Sequence, residues 1–195
     1  MLRIVGGTAR GRPIRSPSKD VRPATARLRR SLFDYLAAVI PGSRVLDLYA
    51  GSGGLGLEAV SRGAELALFV DAARSSIEVA RENARALGFL DRCRFIRDDV
   101  FRFLNRCREA PVGRFDVVFA APPYRIAQPD RMLAAVDLSE ILEPSGVVCL
   151  EFARHTAGPQ PDDRRFSLAR RRVYGETVLE VWDHRPPGDA AAAGG

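Results

Sequence analysis

The chain has 195 residues, 46% hydrophobic and 28% charged, which is enough to bury a core and too apolar for a disordered segment. No run approaches the roughly 20 apolar residues of a membrane span, and Met1 to Gly7 lacks the apolar stretch of a secretory signal, so a cytoplasmic location without a membrane partner is expected; a monomer is expected as well. The formal charge is +6 and Lys19 is the only lysine, so arginine carries nearly all the positive charge.

From Arg3 to Arg30 there are nine basic residues against one acid, Asp20, a cluster suited to phosphate backbones. Residues 2–15 read as two short strands around Gly6-Gly7 and Gly11, and 16–23 as a polar loop. From Thr25 an amphipathic helix is predicted, with Leu28, Leu32, Phe33, Leu36 and Val39 at helical spacing until Pro41-Gly42 ends it. Strands and helices then alternate. Strands are expected at Val45 to Tyr49, Leu66 to Val70, Arg92 to Ile96, Phe115 to Phe119 and Val147 to Phe152. Helices are expected near 54–62, 74–87, 100–108 and 130–142. This pattern means a parallel sheet covered on both faces. Phe166 to Val173 and Thr177 to Trp182 flank Tyr174-Gly175-Glu176 and predict an antiparallel hairpin at the sheet edge.

Three units are expected: a basic, RNA-facing segment over 1–40, an α/β domain over 41–184, and a disordered tail over 185–195. Cys93, Cys107 and Cys149 are odd in number and far apart, and His155 and His184 add no ligand spacing. Buried free thiols and no metal are expected.

Chemistry concentrates after the first strand of the alternating part. Gly51, Gly53 and Gly56 satisfy G-x-G-x-x-G between a strand and a helix, a loop that lets backbone approach a ligand closely. Asp71, twenty residues beyond Gly51, ends the next strand, where a carboxylate can accept from both ribose hydroxyls of an adenosine. A dinucleotide would place pyrophosphate at the helix terminus. Asp47 just before the loop would repel it and suits the cationic aminoacyl end of S-adenosyl-L-methionine. Asp98-Asp99 follows the third strand, and Asp99 is the stronger candidate to accept from the adenine amino group. The predicted cofactor cradle is Asp47, Ala50, Gly51, Ser52, Gly53, Asp71, Asp99 and Val100.

The fourth strand leads into Ala121-Pro122-Pro123-Tyr124. Here the chain resembles the RsmD-type small-subunit ribosomal RNA guanine-N2 methyltransferases. The likeness runs through Arg10 to Arg12, Arg22-Pro23 with Thr25, Arg27 and Arg29, Leu32-Phe33, Asp47 to Glu58, Phe69-Val70-Asp71, Phe103-Leu104, Pro122-Pro123-Tyr124, and Tyr174-Gly175 with Thr177. The resemblance implies a Rossmann-like methyltransferase fold, S-adenosylmethionine as cofactor, and small-subunit ribosomal RNA or a partly assembled subunit as partner. It also implies RNA contacts from Arg10, Arg12, Arg22, Thr25, Arg27 and Arg29, and catalysis around Ala121, Pro122, Pro123 and Tyr124.

Two positions depart from the family: its motif begins with Asp where this chain has Ala121, and it usually has Glu where this chain has Arg30. Both lie on the side that handles the target base. An exocyclic amine delocalises its lone pair into the ring. Acceptors for its two N–H bonds localise that pair toward the methyl donor. Ala121 offers only its carbonyl, aided by that of Pro122 or by water. Tyr124 can stack on an extruded base. The alternative reading is a catalytically silent protein that binds cofactor and RNA. Adenine in DNA is a third possibility, and an NAD-dependent oxidoreductase is disfavoured by Asp47.

Overall fold

A computed structural model describes residues 2–17, 25–160 and 165–185. After the hairpin β1 (Leu2–Arg3) and β2 (Pro13–Ile14) come α1 (Ala26–Tyr35), β3 (Arg44–Leu48), α2 (Gly54–Ser61), β4 (Leu66–Asp71) and α3 (Arg74–Leu87). They are followed by β5 (Cys93–Arg97), α4 (Val100–Cys107), β6 (Phe115–Ala120), α5 (Pro129–Leu138), β7 (Leu142–Ala153), β8 (Phe166–Tyr174) and β9 (Thr177–His184). The seven-stranded sheet has the order β5-β4-β3-β6-β7-β9-β8. Strands β3 to β7 are parallel, and β9 runs antiparallel between β7 and β8. The expected Rossmann-like α/β architecture is present, with its carboxyl-terminal hairpin and small amino-terminal hairpin. No helix among the described residues is long and apolar enough to cross a membrane.

The central strands are apolar because both of their faces are covered. On one face, Leu28, Leu32, Phe33 and Leu36 from α1 and the turn after it, with Leu57 and Val60 of α2, pack on Val45, Phe69, Phe119 and Cys149. Ile4, Ala9 and Ile14 join the same cluster, so the amino-terminal segment is built into the domain's core. On the other face, Phe103 and Leu104 of α4 and Met132 and Val136 of α5 cover Leu46, Leu68, Val118 and Leu150. All three cysteines are buried free thiols, and burial pushes Cys93 up to about 12.

Two boundaries differ from expectation. Helix α1 ends at Tyr35 and Val39 is exposed, because Ile40 takes the core position instead. Helix α5 ends at Leu138, since Glu140 adopts a positive φ of 53° that a right-handed helix cannot continue through. Strand β7 accordingly starts at Leu142, and its pairing with β6 jumps from Phe115–Leu142 to Val117–Val147.

One buried acid joins the amino-terminal segment to the sheet. Glu58 on α2 has no exposed surface, and its Oε2 accepts from the Val5 amide at 2.7 Å. The same oxygen lies 3.6 Å from Arg29 on α1, while Oε1 accepts from Arg62 Nε at 2.9 Å. Arg62 then reaches Asp34, 3.5 Å away on α1. Pairing 29 with 58 and 34 with 62 makes α1 and α2 run the same way. The amino end of α1 therefore lies toward the carboxyl edge of the sheet.

Removing one partner of a buried ion pair typically costs about 3–5 kcal/mol. Glu58→Ala is expected to lower unfolding free energy by about that much, read by urea denaturation. A loss below about 1 kcal/mol would show that the Arg29 charge is stabilised chiefly from elsewhere.

Candidate active site

Sheet register brings the chemistry to one edge. Leu48 pairs with Val70 on one side and Ala120 on the other, and Asp71 pairs with Arg97. Tyr49, Asp71, Asp98 and Ala121 thus emerge together at the carboxyl ends of β3, β4, β5 and β6, where open α/β sheets bind ligands.

The loop after β3 is shaped from below. Gly53 caps α2 with φ at 76°, and a Cβ on Gly56 would meet the Phe69 ring at 2.4 Å. Ala50 and Ser52 are buried supports: Ala50 bonds to β4 through the Val70 carbonyl, and the Ser52 carbonyl accepts from Asn83 Nδ2 at 2.9 Å. Asn83 also donates to the Arg15 carbonyl, tying the amino-terminal segment to the loop. Gly51 is half-buried on the open side, where an added Cβ would meet nothing nearer than 3.9 Å.

Asp47 has a different role from the one its sequence position suggested. It is 2% exposed and its Oδ2 accepts from the Gly56 amide at 2.9 Å. It lies under the loop and holds the glycine turn in place, so it is withdrawn as a direct partner of a cationic ligand. Burial raises it to about 8; the Gly56 hydrogen bond opposes this and Asp71 adds to it.

The carboxylates facing the edge are Asp71 and Asp99. Asp71 Oδ2 accepts from the Gly51 amide at 2.9 Å and Oδ1 from Ala73 at 2.8 Å. A carboxylate has about four lone-pair sites, so each oxygen can still accept from a hydroxyl. Asp99 is exposed and caps α4 by accepting from Arg102 N at 3.0 Å, with Val100 buried behind it. Asp98 is instead buried in a structural cluster with Arg102 at 2.5 Å and Arg106 at 2.8 Å.

Tyr49 was missed in the sequence. It is a non-glycine residue with φ at 59°, an uncommon left-handed backbone that turns the chain out of β3 into the glycine loop. Burial first, then Asp99 and Asp71, push its hydroxyl up to about 12, with Arg131 opposing. The crevice that open α/β sheets offer at this edge is therefore bordered by Asp71, Asp99, Tyr49 and the open Gly51 turn, acceptors that fit an adenosyl nucleoside bearing positive charge.

Beside the crevice, Ala121, Pro122 and Tyr124 are half-buried and Pro123 is exposed. The Tyr124 hydroxyl hydrogen-bonds the Thr177 hydroxyl at the start of β9, which fixes the ring. Pairing of Ala153 with Thr177 and of Thr177 with Tyr174 extends this slot across β7, β9 and β8.

The basic residues separate into two groups. Arg29, expected at a nucleic-acid surface, is 2% exposed against Glu58; its α-helical position faces inward with Phe33, and that expectation is corrected. Arg12 donates to the Ala86 and Leu87 carbonyls and so caps the end of α3, although it remains exposed. Thr25 caps α1 by accepting from Leu28 N at 3.2 Å. Arg10 and Arg27 are exposed, and Arg22 lies outside the described residues. Arg27, Arg30, Ser31 and Tyr35 of α1 line, with Arg170 of β8, an open groove of about 840 Å³. Arg170 stacks on Tyr35 at 4.8 Å and donates to Ser31 Oγ at 3.3 Å.

This strand order, with a glycine turn after β3 and acids at the tips of β4 and β5, defines a class I methyltransferase. An RNA methyltransferase from Salinibacter ruber in complex with S-adenosyl-L-homocysteine shares the fold, with a TM-score of 0.62, 20% identity, and coverage of 87% of this chain and 99% of that one. A family model described as conserved hypothetical protein 95 matches residues 2–183, and the chain belongs to this family. It is 30% identical to ribosomal RNA small subunit methyltransferase D of Escherichia coli over 192 residues, covering 98% of this chain and 94% of the relative. A solved structure of a hypothetical protein from Thermus thermophilus is 35% identical, with a TM-score of 0.79 over 93% of this chain and 98% of that one.

Raising the folded-state pKa of Asp47 favours the native protein at low pH. Its contribution is full below the unfolded value near 3.8 and fades as pH rises toward about 8. Asp47→Asn keeps an acceptor for Gly56 without the ionisation. Its thermal stability relative to the natural protein is expected to improve steadily over that window. A constant difference between the two melting curves would show that Asp47 does not titrate there.

Proposed function

We propose that this chain transfers a methyl group from S-adenosylmethionine to the exocyclic N2 amine of a guanine in small-subunit ribosomal RNA, acting as a cytoplasmic monomer on free RNA or a partly assembled subunit. The observation that carries the reading is the juxtaposition at one sheet edge of the acid-lined crevice and the Pro122-Pro123-Tyr124 slot. In the crevice, Gly51, Ser52 and Gly53 would supply close backbone, Asp71 would accept from the ribose hydroxyls, and Asp99 with Val100 would hold the adenine. The cofactor, when bound, supplies an electrophilic methyl group. The protein's own task is to hold the acceptor nitrogen in line and to accept from its N–H bonds. The carbonyls of Ala121 and Pro122 can accept, and Tyr124, pinned by Thr177, offers a face for stacking.

The amino-terminal 40 residues, with β8, suit the RNA. Cross-strand partners share a face, so Arg170 stands in the row of Val181, Cys149 and Phe119, while Arg172 stands in the row of Leu179 and Glu151. Arg27, Arg30, Arg170 and Arg172 would form a basic track rising along the groove toward the slot, with Tyr35 as a stacking platform on the way. Ala121 favours one competing reading, a silent binder of cofactor and RNA.

Incubating the purified chain with labelled cofactor and small-subunit RNA, then analysing nucleosides by mass spectrometry, is expected to yield N2-methylguanosine. Asp71→Ala is expected to weaken cofactor binding at least about tenfold by calorimetry, a loss of roughly 1.4 kcal/mol. Cofactor binding without methyl transfer would leave the silent binder standing.

Each phosphate contact contributes about 0.9 to the salt dependence of duplex binding and about 0.7 for single strands. Replacing Arg27, Arg30 and Arg170 by Gln is expected to lower RNA affinity and flatten the plot of log affinity against log salt by about 2. An unaltered slope would place the RNA on another face.

A further inference from the structure

We infer that Glu151, one residue past the last β6–β7 pair and next to Ala121 in that register, is the carboxylate that serves the target amine in this chain and takes over the part of the acid missing from the motif. This rests on the methyltransferase reading above and adds a residue to it.

Glu151 interrupts the apolar run Val147-Val148-Cys149-Leu150 of β7 and is 9% exposed. Its Oε2 is buried with no hydrogen-bond partner. Such a group is costly, about 1–3 kcal/mol or more for an unmade bond. An apolar residue like its neighbours would avoid that cost, so a buried acid without a partner calls for an explanation.

Register gives its neighbourhood. Phe119 pairs with Cys149 and Ala120 with Leu150, the last pair of β6, and continuing that register by one residue sets Ala121, just past the strand end, next to Glu151. Alternation puts Glu151 on the face of Val147 and Cys149, the face covered by α1, and away from Val148, Leu150 and Phe152. Across β9 its partner is Leu179, whose own partner on β8 is Arg172. Two residues nearer the edge in the same register lies Thr177, which holds Tyr124. The slot on the α1 face is thus bounded by Ala121, Glu151, Thr177 and Tyr124. The Ala121 side chain ends at Cβ, so in this register an Asp in its place would bring a second carboxylate next to that of Glu151.

The charged groups facing Glu151 are few. Cys149 shares its strand and face, and burial pushes that thiol up. From α1, Arg29 is held against Glu58. From β9 the partner is apolar, and Arg172 stands one strand further away. Burial alone raises Glu151 to about 7, where it is both an acceptor and a usable base near neutral pH.

The balance of the step requires such a group. Transfer forms one N–C bond and breaks one S–C bond, whose electron pair stays on sulfur. The nitrogen, having given its lone pair, sheds one proton. That proton passes to the Glu151 carboxylate and then to water. Below about pH 7 the carboxyl is already protonated and cannot receive it.

The test compares the natural chain, Glu151→Gln, Ala121→Asp and the double variant in single-turnover transfer to small-subunit RNA. Cofactor calorimetry and thermal unfolding check that the folded site survives. Glu151→Gln is expected to lose at least about 100-fold in rate with cofactor affinity unchanged. The rise in rate with pH near 7 should vanish, and the double variant should regain transfer. Independently of activity, a carbon-13 NMR titration of side-chain carboxyls in the cofactor-free chain is expected to show, besides Asp47, a group titrating near neutrality that is absent from Glu151→Gln and still present in Asp47→Asn. A natural rate and pH profile in Glu151→Gln would overturn the inference and leave the methyltransferase reading intact. So would a silent natural chain made active by Ala121→Asp, or a Glu151 carboxyl that titrates in the ordinary range. If neither the natural chain nor Ala121→Asp transfers methyl groups while both bind cofactor, the methyltransferase reading fails and the inference falls with it.

Discussion

The arrangement depends on the Glu58 carboxylate. With no solvent to share its charge, it satisfies the Val5 amide and Arg62 and faces Arg29, so three separate stretches of chain must meet where it sits. That meeting fixes the direction of α1 and carries its amino end, with Arg27 and Arg30, to the edge where β3 to β6 end. It also presses residues 2–17 onto α2, so that Asn83 can join the Arg15 and Ser52 carbonyls and brace the glycine loop. A basic segment that looks detachable by composition is therefore one body with the glycine loop and the sheet. An ion pair buried this deeply is weak evidence for stability gained over an apolar alternative. Here it acts as a specifier of register between helices.

Much of this was readable from the sequence because it is local. The glycine spacing, the acid twenty residues on and the strand alternation each concern a short window, and helix α3 runs from Arg74 to Leu87 as the pattern predicted. What was not readable is depth. Asp47 and Arg29 were singled out as charges, and residue type alone does not tell a facing charge from a buried one. The helical period held a clue for Arg29, four residues before Phe33 and next to Leu28. Its burial is tolerable only because Glu58, distant in sequence, is buried with it. Tyr49 carried no warning of a left-handed backbone. Glu151 did carry one, as an acid inside an apolar strand, but its meaning depends on the register that sets it beside Ala121.

The two ligands proposed for this chain are of opposite sign, and the sites proposed for them lie on different strands. Acids gather at the tips of β4 and β5, with Tyr49 between them and the centre of the sheet. Arg27, Arg30 and Arg170 line the groove between α1 and β8, on the far side of β6 and β7, whereas Arg102 and Arg106 at the β5 tip are paired with Asp98. Potentials of opposite sign on one small domain would cancel if intermixed; separated by several strands, each can attract its own partner. The seam between them lies where Ala121, Glu151 and Thr177 stand. A single ionisable carboxylate at that seam can respond to the proton released, whereas a pair of acids side by side would raise each other's pKa and compete for it.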